Sequence, residues 1–327
     1  MARADLLINL IKAGVRADQA QFLKTVEALA ADERAKNHSI LADRLVAQLQ
    51  DNGKSRSVVP PSAKSYTNLV AEITPQRQIA DLILPVPVKQ IVQDMIEEHH
   101  RVDLLHSYNL EPRNRLLLVG PPGNGKTSLA EAIADGLNTI MVVVRYEAVI
   151  GSYLGETAQR ITQVFDYARS RQCVLFFDEF DVVGKERGDI HETGEIKRVV
   201  SSLLLQIDAL PSYVVVVTAS NHPELLDRAV WRRFQIRVEL PNPKQSQIEE
   251  WFLRFEKRTG QTLGLTPRIL AQNLKGLSFA EIEDFGIDVM RRFVLNQPTA
   301  DMIEITTRCL KQWKERFKLK NLDPNKG

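Results

Sequence analysis

Gly120-Pro-Pro-Gly-Asn-Gly-Lys-Thr127 is the segment on which the interpretation of this 327-residue chain turns. It fits G-x-x-x-x-G-K-[ST], and it sits where that pattern has a physical meaning. The apolar run Leu116–Val119 precedes it, and a helix is expected over Ser128–Leu137 behind it. The glycines let backbone N–H groups turn toward phosphate oxygens with no Cβ in the way. The helix offers the positive end of its dipole to the same anion. Lys126 would then reach the β- and γ-phosphates, and the Thr127 hydroxyl would sit on Mg²⁺. The expected phosphate-binding set is therefore Gly120, Pro121, Pro122, Gly123, Asn124, Gly125, Lys126, Thr127 and Ser128. A Gly/Pro-rich surface turn carrying a lysine by chance is the bland alternative. The flanking strand and helix count against it.

On either side of the loop, strands and helices alternate. Strands are expected at Ile140–Val144, Val174–Phe177, Val214–Thr218 and Gln235–Leu240, with helices at Glu156–Ser170 and Glu195–Ile207 between them. That alternation means an α/β fold with a central parallel sheet covered on both faces. The expected P-loop α/β subdomain spans 78–241, and an all-helical lid subdomain with a C-terminal helix follows over 242–327. Residues 51–77 begin rich in Gly, Ser, Pro and Lys and are expected to be a linker. Residues 1–50 form an expected N-terminal helical unit, with Leu41, Leu45 and Leu49 as an i, i+4 stripe. The stripe does not say whether that unit packs on itself or docks a partner.

Val174-Leu175-Phe176-Phe177 runs directly into Asp178-Glu179. A buried strand ending in two carboxylates delivers them to the sheet's C-terminal edge, where open α/β sheets bind ligands. Asp178 suits the Mg²⁺, and Glu179 suits a base that orients and deprotonates an attacking water.

Composition narrows the classes. The formal charge of +2 gives bulk electrostatics no pull toward nucleic acid or a membrane surface. No apolar stretch approaches the ~20 residues of a membrane span. Cys173 and Cys309 are in no metal spacing, and a reducing, cytoplasmic setting is expected. Trp313 and Phe317 lie among lysines on an expected final helix that packs on its own domain or on a neighbour.

Gly120–Thr127, Phe177-Asp178-Glu179, Ser220-Asn221 and the run from Leu226 through Arg232-Arg233-Phe234 stand together in an order that resembles the AAA proteins. These are the branch of AAA+ ATPases that includes katanin, spastin and Cdc48-type unfoldases. The resemblance covers about residues 78–290 and leaves out the N-terminal helices. It implies ATP and Mg²⁺ as cofactors and ATP hydrolysis as the activity. Asn221 resembles the sensor asparagine that holds the γ-phosphate and the attacking water. Arg232 and Arg233 resemble paired arginine fingers acting on the ATP of an adjacent subunit. The resemblance thus implies a homo-oligomer, a hexameric ring. Tyr153-Leu154-Gly155 falls where the family carries its substrate-gripping pore loop, which implies a polypeptide substrate. Gly184–Glu192 falls where a second pore-facing loop would lie. A separate protease or effector is the kind of partner such single-module proteins work beside. The alternative function is a nucleotide-switched assembly or regulatory module that recruits or activates a partner protein. Phe279 departs from the family pattern, because a glycine is more usual there, and no sensor arginine accompanies it.

Overall fold

The computed structural model describes Thr25 and residues 68–149, 154–181 and 201–320. The chain divides into two units, Met1–Ser65 and Tyr66–Gly327. All the strands and helices named below belong to the second unit.

Among the described residues, six strands form one sheet: β1 (Val70–Ile73), β2 (Arg115–Val119), β3 (Ile140–Val144), β4 (Cys173–Phe177), β5 (Val214–Ser220) and β6 (Ile236–Glu239). Their spatial order is β1-β3-β4-β5-β2-β6. The pairings β3–β4, β4–β5, β5–β2 and β2–β6 are all parallel. β1 alone runs antiparallel, pairing Val70 with Val144 through Ile73 with Met141. This strand lies inside the stretch expected as linker. The residues before it are polar and proline-containing and suggest a linker, whereas Leu69 and Val70 bury themselves against the sheet.

The parallel strands are apolar at almost every position because both faces are covered. Side chains alternate strictly between two cores. In β4, Cys173, Leu175 and Phe177 enter one core, and Val174 and Phe176 enter the other. In β2, Leu117 and Val119 oppose Leu116 and Leu118 in the same way. Each fully buried Phe, Leu or Val contributes about 1.5–3 kcal/mol. Burial also pushes the Cys173 thiol up to about 12, so it packs as a small apolar group.

Helices α1 (Val86–His100), α2 (Val102–Ser107), α3 (Lys126–Gly136), α4 (Tyr146–Val149) and α5 (Leu154–Arg169) precede β4. A helix α6 over 201–208 and α7 (Arg228–Arg233) flank β5. α1 and α2 have no counterpart among the elements expected from sequence. Val92, Met95 and Ile96 of α1 pack in the core that holds Leu129 and Ile133 of α3.

After β6 the described residues form no further strand. Helices α8 (Gln245–Thr259), α9 (Pro267–Asn273), α10 (Phe279–Leu295) and α11 (Met302–Lys320) close around a third core. Aromatic edges build it: Phe252 meets Phe285 at 6.1 Å, and Phe285 meets Trp313 at 5.9 Å. Trp313 thus spends its apolar surface inside the helical subdomain. No helix among the described residues is long and apolar enough to cross a membrane.

Candidate active site

Because β2, β4 and β5 are parallel neighbours, their C-terminal ends open on one edge. The Gly120–Thr127 loop leaves β2, Asp178 and Glu179 leave β4, and Asn221 leaves β5. A cleft of about 790 Å³ lies there. Pro122 through Ser128, Asp178, Glu179 and Asn221 all line it. Leu82, Ile83, Leu84, Trp251, Phe255 and Phe279 add apolar surface suited to a flat base.

Two glycines show why the loop has its composition. Gly120 has φ +138°, and a Cβ there would come within 2.3 Å of the Leu240 carbonyl oxygen. The loop can therefore leave β2 tight against the end of β6 only at a residue without a side chain. Gly123 has φ +78°, and a Cβ there would come within 2.9 Å of both Ala280 and Ser278. The loop thus touches the helical subdomain. The Ala280 N–H donates to the Gly123 carbonyl at 3.0 Å, and the Phe279 N–H donates to Asn124 Oδ1 at 3.3 Å. Ser278 makes these contacts possible by capping α10. Its hydroxyl accepts from the Glu281 N–H, and Glu281 accepts the Ser278 N–H in return at 2.9 Å. Phe279, the unusual residue of this segment, is part of the cleft wall.

Lys126 is buried at the loop's centre. Its ammonium donates to the carbonyls of Gly120 at 2.7 Å and Pro121 at 3.0 Å, and to Asn221 Oδ1 at 2.6 Å. Burial lowers its pKa, while the charges of Asp178 and Asp181 work in the opposite sense. Gly120 and Pro121 therefore act through their carbonyls, without lining the cleft themselves. The Thr127 hydroxyl donates to Asp178 Oδ2 at 3.1 Å. A hydroxyl and a carboxylate oxygen at that spacing fit one small, hard cation that keeps its other positions for phosphate and water. The donor set therefore fits Mg²⁺, with Thr127 and Asp178 as its protein side. Ser128 accepts from Arg77 Nη1 at 3.1 Å.

Glu179 has φ +47°, a left-handed conformation that a non-glycine residue rarely holds. Such strain is concentrated at working sites. Its N–H donates to Asp178 Oδ1 at 2.9 Å.

Three further side chains escape a sequence-based reading. Asp181 is buried and accepts from the Ser220 hydroxyl at 2.9 Å and the Asn221 N–H at 3.2 Å. It fixes the backbone from which Asn221 projects. Arg254 of α8 donates to the carbonyls of Ala80 and Asp81, both at 3.1 Å, and lines the cleft. Asp208, at the end of α6, receives Arg115 at 2.6 Å on one oxygen and Arg233 on the other. Only spacing in the fold joins these residues, so no local pattern announces them.

Arg232 and Arg233 do not line the cleft of their own chain. Arg233 is tied to Asp208, while Arg232 is exposed at the end of α7. Tyr153 and the segment 184–192 lie outside the described residues. Leu154 opens α5, with its side chain likewise outside them.

Residues 116–242 match the family model described as ATPase family associated with various cellular activities (AAA). An uncharacterized AAA family ATPase of Sinorhizobium fredii is 32% identical over 305 residues, 91% of each chain. A cell division cycle protein 48 homolog of Archaeoglobus fulgidus is 31% identical over 237 residues, 68% of this chain and 32% of that protein. A 26S proteasome regulatory subunit S10B homolog of Arabidopsis thaliana is 37% identical over 155 residues, 45% of this chain and 39% of that protein. With a phosphate-loop sheet, a helical lid and these relatives, the chain belongs to the AAA family of ATPases. Its enzymatic activity is ATP hydrolysis.

Proposed function

We propose that this protein binds Mg²⁺–ATP in the cleft between its sheet edge and its helical lid, and uses hydrolysis to remodel polypeptide substrates. The observation that carries this reading is the convergence of Lys126, Thr127, Asp178, Glu179 and Asn221 at the ends of three adjacent parallel strands. In it, the loop N–H groups and Lys126 hold the β- and γ-phosphates. Thr127 and Asp178 would hold Mg²⁺, which would supply charge neutralisation on the phosphate oxygens. Glu179 orients a water and takes its proton, and Asn221 holds the γ-phosphate. Lys126 exchanges its present carbonyl and amide partners for phosphate oxygens.

The exposed Arg232 supports a shared site. It lies away from its own cleft, so a guanidinium contribution to phosphoryl transfer comes from a neighbouring copy. A closed ring of copies, six in the family's usual form, provides that neighbour at every site. Tyr153 and Leu154 then line a central pore, where an aromatic ring grips varied chains by contact area rather than by sequence.

The test uses Glu179→Gln and Tyr153→Ala. Glu179→Gln is expected to bind ATP, assemble and stop hydrolysing. Tyr153→Ala is expected to hydrolyse ATP but leave substrate unprocessed. If substrate processing persists in Tyr153→Ala, threading is wrong. If an ATP-bound Glu179→Gln assembly still performs the cellular function, the nucleotide-switched assembly replaces the motor.

A further inference from the structure

Part of the cleft wall belongs to neither the phosphate loop nor the helical lid. Residues 79–84 form a strap after β1, and its Asp81, Leu82, Ile83 and Leu84 line the cleft. The strap begins as one 3₁₀ turn, Ile79–Asp81. Within it, the Asp81 N–H donates to the Gln78 carbonyl at 3.0 Å and the Leu82 N–H to the Ile79 carbonyl at 3.3 Å. The next two carbonyls, those of Ala80 and Asp81, fall past the end of the turn, where helical acceptors have no internal donor.

One side chain of the lid takes both. Arg254 of α8 donates from Nη1 to the Ala80 and Asp81 carbonyls, each at 3.1 Å. Its Nη2 donates to Glu250 Oε1 at 2.6 Å, one turn earlier on the same helix. The rigid guanidinium fork suits this division, with one end on the strap and the other held by its own helix. Trp251 and Arg258, at helical spacing on either side of Arg254, also line the cleft. The strap is tethered the other way as well. Just before it, the Gln76 N–H donates to Glu131 Oε1 at 3.0 Å, and Arg77 Nη1 donates to Ser128 Oγ at 3.1 Å. Ser128 and Glu131 belong to α3, the helix that follows the phosphate loop.

The two tethers differ in chemistry. On the α3 side, Arg77 faces the Glu131 carboxylate at 3.4 Å. On the lid side, the acceptors are neutral carbonyls, and the counter-charge of Arg254 stays on its own helix. The Arg254 side chain is 44% exposed. Opening this contact therefore separates no ion pair, and water can replace both carbonyls. It is a second seat of the lid, separate from the Ala280–Gly123 contact on the phosphate loop.

We infer that Arg254 is a positioning residue for the nucleotide, a latch between lid and strap that sets how long a bound nucleotide stays in the cleft. This rests on the cleft being the nucleotide site proposed above. With the guanidinium on the Ala80 and Asp81 carbonyls, strap and lid are held together as two walls of one cleft. When those bonds open, the walls separate and the nucleotide leaves.

The test is stopped-flow binding of a fluorescent ADP analogue, with release followed by a chase of unlabelled ADP. Arg254→Ala is expected to release the analogue about tenfold faster, the scale of a lost hydrogen bond from a charged donor, with association no slower than wild type. A contact that only propped up the lid would deform the cleft when lost and slow association too. Arg254→Lys keeps the charge without the fork, and its release rate is expected between those of wild type and Arg254→Ala. Unchanged release in Arg254→Ala overturns the inference, as does slowed association. Wild-type release in Arg254→Lys overturns it even where Arg254→Ala fails to fold. Wild-type binding of the analogue by Lys126→Ala would instead overturn the nucleotide site itself, so the two failures are told apart.

Discussion

The Lys126 ammonium and the Asn221 side chain meet at 2.6 Å, joining the loop after β2 to the end of β5, 95 residues further along the chain. The lysine that would carry the phosphates and the amide that would sense them are thus already in register. Asn221→Ala is expected to lower kcat by about 10²-fold, the scale of a positioned proton-transfer or orienting group. ATP affinity should change little. Steady-state hydrolysis and equilibrium ATP binding, measured on the same preparation, separate the two quantities. A large loss of binding with kcat intact would assign Asn221 to substrate capture instead.

The two adjacent arginines are expected to behave differently. Arg232 is exposed and away from its own cleft, so Arg232→Ala should leave the fold unchanged and reduce hydrolysis by ~10³ or more, the scale of a lost arginine finger. Arg233 shares Asp208 with Arg115, and removing the shared acid leaves two half-buried guanidiniums facing each other. Asp208→Ala should therefore lower unfolding free energy by about 1–2 kcal/mol, a figure already reduced for partial exposure. Denaturant titration of both variants checks the contrast. Equal stability losses would dissolve the distinction.

Gly123→Ala probes the contact between loop and lid. The added Cβ meets Ala280 and Ser278 at 2.9 Å, and φ of +78° is costly for alanine. The expected result is a folded protein whose ATP dissociation constant rises about tenfold or more, matching a strain of ~1–3 kcal/mol. Wild-type affinity in this variant would show that the lid's seat on the loop does not shape the cleft.

His99 gives a pH dependence unrelated to catalysis. Its ring is half-buried and its Nε2 pairs with the Arg113 carbonyl at 2.9 Å. Burial lowers its pKa more than that bond and the charge of Glu98 raise it. The unfolded chain therefore takes up the proton first, below about pH 6.5. The stability that His99 contributes is complete above that value and is lost as pH falls toward the folded pKa. Melting temperatures at pH 7.5 and 5.5 should show a smaller drop in His99→Gln than in wild type. An equal drop would mean that His99 does not carry the dependence.

The parallel strands are legible in the sequence because each is a short, mostly apolar run. β3 matches its expected bounds, and β4 and β5 are extended only at their ends. The bounds of β1 are not legible. Four residues on a sheet edge, VAEI, carry half the apolar pattern of a central strand, and the polar stretch before them masks the start. The phosphate loop, Asp178, Glu179 and Asn221 can be placed because local order along the chain fixes them. Asp181, Arg254 and Asp208 cannot. Their significance lies in what folding brings beside them: the Ser220 hydroxyl, the carbonyls of Ala80 and Asp81, and two arginines from different elements. The left-handed backbone at Glu179 is equally hidden, since glutamate carries no sign of a positive φ.

In the proposed ring, one site joins Glu179 of one copy to Arg232 of the next. Mixing two inactive variants, Glu179→Gln and Arg232→Ala, tests this directly. In a mixed assembly, an Arg232→Ala subunit keeps its own Glu179 and can receive an intact Arg232 from a Glu179→Gln neighbour. ATP hydrolysis measured across the mixing ratio is expected to rise from near zero to a maximum at intermediate ratios. Hydrolysis that stays at the level of the separate variants throughout, or an Arg232→Ala protein that is fully active alone, would contradict the shared site.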